Sequence, residues 1–137
     1  MWYYNNEPFE DIGEYVGFVY LITNLTNNKK YIGKKIFHFT KTKQVKKKKK
    51  RVKVESDWKE YFGSNKNLNE DVESLGKGNF KREIIRLCRT KGECSYFEAK
   101  EQFERNALLL DEYYNEYMLL RVSKSHLTSL KQDGKIL

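Results

Sequence analysis

Two groups of residues in this chain have chemistry to offer. The first is a pair of phenols, Tyr20 and Tyr31. Tyr20 sits in Gly17-Phe18-Val19-Tyr20-Leu21-Ile22, a β-branched and aromatic run that reads as a buried strand. Tyr31 sits in Lys30-Tyr31-Ile32-Gly33, which reads as a second strand. The turn formers Asn24-Leu25-Thr26-Asn27-Asn28 lie between them, so the two runs make a β-hairpin. With the turn centred between Leu25 and Thr26, Tyr20 stands opposite Tyr31 and both phenols leave one face of a small sheet. On periodicity alone this is an ordinary cross-strand aromatic pair. The second group is cationic. Residues 41–53 hold nine basic residues and no acidic one, while the rest of the chain holds 18 basic against 19 acidic. The net charge of +8 is therefore one local block on a nearly neutral body. Such a block is an electrostatic footprint for a polyanion.

The elements that must position these groups belong to one domain of 137 residues. Aromatic residues make up 15% of the chain, which supplies enough apolar area to argue against wholesale disorder. No apolar run approaches the roughly 18 residues of a membrane helix, and the first residues lack the pattern of a secretory signal. Cys88 and Cys94 form neither a CxxC pair nor a disulfide framework, which points to a reducing, cytoplasmic setting. With two Cys and two His at no ligand spacing, a zinc site is not expected. Residues 1–16 read as an N-terminal arm, 41–55 as a basic insertion that cannot bury itself, and 121–137 as a tail. Asp57–Tyr61 and Asn67–Leu75 suit short helices, and Phe80–Leu87 a third strand. Ser95-Tyr96-Phe97-Glu98 has the form of a capping box opening another helix. Along it Tyr96, Ala99, Phe103, Ala107 and Leu110 make an apolar stripe.

Gly17-Phe18-Val19-Tyr20, followed eleven residues later by Tyr31-Ile32-Gly33, resembles the GIY-YIG nuclease superfamily, and the wording around both halves resembles its phage homing-endonuclease-like members. Gly76-Lys77-Gly78-Asn79-Phe80 before the third strand, a glutamate-bearing helix after it, and the closing Tyr114-Asn115 agree with the resemblance, which covers roughly residues 17–115 and implies a nuclease domain over 17–120. It implies an α/β fold: a small central three-stranded antiparallel sheet flanked by helices. It also implies a cytoplasmic endonuclease, in a bacterial host cell if phage-encoded, that hydrolyses phosphodiester bonds of duplex DNA with one Mg²⁺ or Mn²⁺ per site. The alternative is a non-catalytic basic DNA- or RNA-binding module on the same fold.

The resemblance also implies roles. The metal ligand is Glu98, with Glu101 as the alternate. A hard carboxylate oxygen suits Mg²⁺, which keeps several waters and needs one or two protein carboxylates. Tyr31 is the phenolate that takes a proton from water, Tyr20 positions water or phosphate or exchanges roles with it, and Asn115 closes the site. A phenol titrates near pH ~10, so a phenolate needs cations beside it. Lys35 shares the strand parity of Tyr31 and is the preferred neighbour over Lys34. The catalytic arginine expected soon after the second half-motif is missing. Lys41 stands ten residues after Tyr31, and Arg51 is the first arginine beyond it, so one or the other supplies the cation. DNA contact falls to Lys46, Lys47, Lys48, Lys49, Lys50, Arg51 and Lys53, with Arg82, Arg86 and Arg89 as helpers. Trp58, Tyr61 and Ser64 either flank the cleft or pack the core.

Overall fold

The computed structural model describes residues 1–118, 120 and 124–127. Aromatic and β-branched residues place seven strands among them: β1 (Trp2–Tyr4), β2 (Glu7–Pro8), β3 (Gly17–Asn24), β4 (Lys29–Ile36), β5 (His38–Val45), β6 (Lys48–Glu55) and β7 (Phe80–Cys88). Two α-helices follow the polar, capped segments: α1 (Lys66–Leu75) and α2 (Lys91–Glu104). The chain is a mixed α/β domain whose main sheet runs β2-β1-β7-β3-β4.

The three-stranded antiparallel sheet expected from sequence is present as β7-β3-β4, but it is the inner part of a five-stranded sheet. The segment read as an arm supplies the other two strands. Trp2-Tyr3-Tyr4 pairs parallel with Arg82-Glu83-Ile84 and antiparallel with Glu7 and Pro8. Three residues are too short for periodicity to register. They are held by tertiary contacts: Trp2 is buried, its indole N–H donates to the Trp58 carbonyl at 2.6 Å, and its ring meets Phe18 and Tyr20 edge-on.

Strand alternation divides the core. Phe18, Tyr20 and Ile22 point to one face and pack with Trp2, Phe37, Trp58, Leu68 and Phe80. Val19 and Ile32 point to the other and pack with Cys88, Cys94 and Phe97 beneath α2. Trp58 is therefore a core residue. Asp57–Tyr61 forms successive turns instead of the expected helix, closed by Glu60 N–H to Asp57 and Tyr61 N–H to Trp58. Arg82 pins this segment from below, donating to the Lys59 and Tyr61 carbonyls at 2.9 Å each while lying against the Trp2 and Phe62 rings. Arg86 lies over the Phe97 ring at 3.7 Å. Two of the three arginines offered as DNA helpers, Arg82 and Arg86, are thus committed within the domain.

Helix α2 opens earlier than its sequence suggested. Thr90 is the N-cap, accepting from the Glu93 N–H at 3.0 Å, while the Glu93 carboxylate accepts from the Arg89 N–H at 3.2 Å, so the helix is capped at Thr90 and not at Ser95. A glycine in the first turn hides such a start from propensity. The apolar stripe shifts accordingly: Cys94 and Phe97 are buried, whereas Phe103 is 66% exposed. Cys88 and Cys94 lie side by side as buried thiols, and the Cys94 contact, with burial, pushes the Cys88 thiol well up.

The basic segment folds as its own two-stranded sheet, β5 against β6, pinned at its root by Ser56 to Ile36 and Phe37. The tail read over 121–137 lies largely outside the described residues. Among those described, no helix is long and apolar enough to cross a membrane.

Candidate active site

The site is built on one edge of the sheet. The β3–β4 loop is shaped by Asn24, whose buried side chain accepts from the Thr26 N–H at 3.0 Å and the Thr26 hydroxyl at 2.6 Å. That Asx turn centres the hairpin between Thr26 and Asn27. The register is therefore Tyr20 against Gly33 and Ile22 against Tyr31, two residues from the expected direct pairing. A two-residue shift preserves parity, so both phenols keep a common face as diagonal neighbours, ring centroids 6.2 Å apart.

Gly33 makes this diagonal possible. A Cβ built there would overlap the Tyr20 hydroxyl and crowd the Tyr31 ring. We expect Gly33→Ala to cost about 1–3 kcal/mol through overpacking. Thermal unfolding would show the loss, and the displaced Tyr20 ring would change its near-ultraviolet circular dichroism.

The two phenols differ in setting. Tyr20 is fully buried beneath Gly33 and beside Tyr61, and burial holds it protonated far above the ordinary phenol range. Tyr31 is half-buried and reaches the Ser64 hydroxyl at 3.2 Å. Burial raises its pKa, the Ser64 hydrogen bond works against that rise, and the charge of Glu98 adds to it. Both are neutral phenols at neutral pH.

The outer edge of β4 organises the rest. Two successive outward N–H groups find different acceptors. Lys30 N–H donates to the Glu112 carbonyl at 2.8 Å and Ile32 N–H to the Asn115 side chain at 3.0 Å. At Lys34 the edge faces the Glu98 carboxylate. Asn115 also donates to the Ile32 carbonyl at 2.8 Å, as a neighbouring strand would. Asn115 is thus a positioning residue for the strand segment between Tyr31 and Gly33. Asn115→Ala would leave the buried Ile32 N–H unpaired at a cost of about 1–3 kcal/mol. The Ile32 carbonyl would keep Gln102 at 3.3 Å. Urea denaturation of Asn115→Ala beside Asn115→Asp, which retains an acceptor, checks this account: Asp should recover part of the loss.

A cleft of about 470 Å³ opens along this edge, with Tyr31, Lys34, Ser64, Lys66, Glu98, Gln102 and Asn115 among its lining residues. Because α2 starts at Thr90, Glu98 lies mid-helix, free of any capping duty. Burial raises its pKa, and the Lys34 ammonium and backbone N–H offset part of the rise. The Lys34 side chain donates to Ser95 at 2.6 Å.

The structure does not bring every candidate to this cleft. Lys35 shares the parity of Tyr31, but its ammonium pairs with Asp57 at 2.7 Å and lies over the Tyr61 ring at 4.0 Å. It therefore holds Asp57 below the usual carboxylate range instead of acidifying Tyr31. Glu101 accepts from Arg105 at 2.9 Å on the same helix and does not line the cleft. Lys41 and Arg51 stand on β5 and β6, away from its lining, as do Lys46–Lys50 and Lys53. Among the described residues, the cations that do line it are Lys34 and Lys66. Sequence reasoning passed over Lys66; its one signal is its place directly after the α1 N-cap Asn65.

A family model described as "Putative endonuclease segE, GIY-YIG domain" matches residues 2–118. No curated protein and no solved structure matches the chain. The match begins at the N-terminal strand and ends just beyond Asn115, so it takes in both tyrosines, the β4 edge and the whole of α2. The chain belongs to the SegE-type GIY-YIG endonuclease domain family.

Proposed function

We propose that this domain cleaves duplex DNA with one Mg²⁺ or Mn²⁺ held at Glu98, and that Tyr31 handles the attacking water. The observation that carries this reading is the half-buried Glu98 carboxylate sharing one cleft with the Tyr31 phenol and two ammonium groups. The donor set suits a hard divalent cation. Glu98 is partly desolvated, so a counter-charge there relieves a real penalty. Ser64, Tyr31 and Glu116 offer further oxygens around the same space. When bound, the cation supplies charge neutralisation on the phosphate and the leaving oxygen.

The protein's own groups do the remainder. Lys34 and Lys66 attract and seat the phosphate, as point charges in place of an arginine fork. Tyr31 donates to or accepts from Ser64 and orients water at the cleft wall. The charge of Glu98 is one of the causes that hold Tyr31 protonated. Compensating that charge therefore favours the phenolate, which couples metal occupancy to base strength. Tyr20 and Tyr61 form the buried support that fixes the Tyr31 ring. The resemblance to phage homing-endonuclease-like proteins supports a homing role.

The test is incubation with supercoiled plasmid, with and without Mg²⁺, beside Tyr31→Phe. Nicked or linear product should appear only with metal and fall about 10²–10⁴-fold in the variant. Equal cleavage by Tyr31→Phe would refute the assigned role of Tyr31. A second reading, a non-catalytic binding module, is favoured by one observation: among the described residues, no arginine lines the cleft. It predicts duplex binding with no product at any metal concentration.

A further inference from the structure

The β5–β6 hairpin has features that a simple cationic tether does not need. Its strands pair in unbroken register over eight rungs, from His38 against Glu55 to Val45 against Lys48. The loop between them is Lys46-Lys47 alone, and both residues are left-handed, at φ 48° and 64°. A two-residue turn of this kind belongs to Asn-Gly or Asp-Gly, because other side chains are strained there. Two lysines at the tip therefore keep charge where local conformation would discard it, and stored strain of this sort points to use.

The two faces of the ribbon also differ. Phe39, Val52 and Val54 are half-buried and share one face, whereas Thr42, Gln44, Lys49 and Arg51 share the other and are exposed. These four form two adjacent rungs, Thr42 against Arg51 and Gln44 against Lys49. Each rung joins a neutral hydrogen-bonding side chain to a cation. Among the described residues, no carboxylate pairs with any lysine or arginine of residues 41–53.

We propose that this ribbon enters the major groove of duplex DNA, with Gln44 and Arg51 reading base edges and Lys46 and Lys47 seated on phosphates at the tip. The proposal rests on the reading of duplex DNA as the substrate. A major groove about 12 Å wide admits a two-stranded ribbon, and eight residues per strand reach roughly 27 Å. Arg forks onto the guanine edge and Gln onto the adenine edge, while Thr and Lys are the less selective partners. Lys41, Lys43, Lys48 and Lys50 leave from the ribbon's other face and flanks toward the groove walls, where contacts position without specifying. The hairpin is thus a sequence-reading element built into the nuclease domain.

The experiment is selection of bound duplexes from a randomised library, followed by sequencing, in Mg²⁺-free buffer so that binding is read apart from cleavage. Three proteins are compared: the unaltered chain, the double variant Gln44→Ala/Arg51→Ala, and the tip variant Lys46→Asn/Lys47→Gly. The unaltered chain should enrich a short motif. The double variant should lose about 5- to 100-fold discrimination at one or two motif positions. The tip variant should keep the motif, bind all sequences more weakly, and lower the slope of log affinity against log salt by about two. It should also keep or improve thermal stability, since Asn-Gly suits the turn. That result separates loss of contact from loss of fold. Enrichment unchanged in the double variant would overturn the proposal, as would the absence of any motif, or tighter binding of RNA at matched salt. Motif selection without cleavage in Mg²⁺ would leave the ribbon reading intact and sink the endonuclease reading. Cleavage with a motif indifferent to Gln44 and Arg51 would do the reverse.

Discussion

Glu98→Gln should abolish cleavage and at the same time raise the melting temperature of the metal-free protein. Removing the one cleft carboxylate on α2 takes away the cation's anchor. Charge stabilisation of a few kcal/mol in the transition state corresponds to about 10³-fold in rate. The opposite sign on stability follows from linkage. The folded-state pKa of Glu98 is raised, chiefly by burial. The folded protein therefore holds that proton more tightly than the unfolded chain does. Stability is greatest below the ordinary carboxylate pKa and falls as pH rises through the raised value, so the full penalty applies at neutral pH. Gln keeps the shape of the side chain and carries no charge. A rise of about 2–4 °C is expected. Two further measurements bear on the same residue. Mg²⁺ should raise the melting temperature of the unaltered protein and leave Glu98→Gln unmoved. The Tyr31 phenol should titrate at lower pH in the variant, because one of the charges opposing its phenolate is gone. Cleavage by Glu98→Gln at the unaltered rate, or a melting temperature lowered by the substitution, would contradict the account of the cleft.

Replacing Lys46–Lys50 with Gln should weaken duplex binding about 10³-fold at ~0.15 M salt and flatten the salt dependence by about four units of slope. All five lysines are exposed and, among the described residues, none is paired with a carboxylate, so each is available to a phosphate. Outside residues 41–53 the chain carries no net positive charge to replace them. Plasmid cleavage should fall through KM while kcat changes little, because the cleft lining contains none of the five. A salt slope unchanged by the substitutions would move the DNA interface to another part of the surface.

The same residues show how far the sequence could be read and where reading stopped. The strands bearing Tyr20 and Tyr31, and the common face of the two phenols, were legible because side-chain parity is a local property that survives an even shift in register. The register itself was not, since it depends on which turn residue captures Thr26, and Asn24 does so only once its side chain is enclosed. The three inner strands were legible from composition. Trp2-Tyr3-Tyr4 was not, because its strand exists only by pairing with residues some eighty positions later. The position of Glu98 on a helix was legible, but Ser95 offered a cap as plausible as the one Thr90 makes, and the difference decides whether Glu98 is occupied or free.

Sequence alone determined that two phenols share a face, that a carboxylate-bearing helix follows the third strand, and that the positive charge is one block. Each of these is written within a few neighbouring residues, in alternation, spacing or composition. Tertiary structure decided the rest: that the β4 edge brings Lys34 beside Glu98, that Asp57 and Tyr61 engage Lys35, that Asn115 serves as a strand partner, and that the basic block is a two-faced ribbon. Those outcomes join residues far apart in the chain. They are settled by which buried polar groups find partners when the sheet closes, and no local pattern encodes that choice.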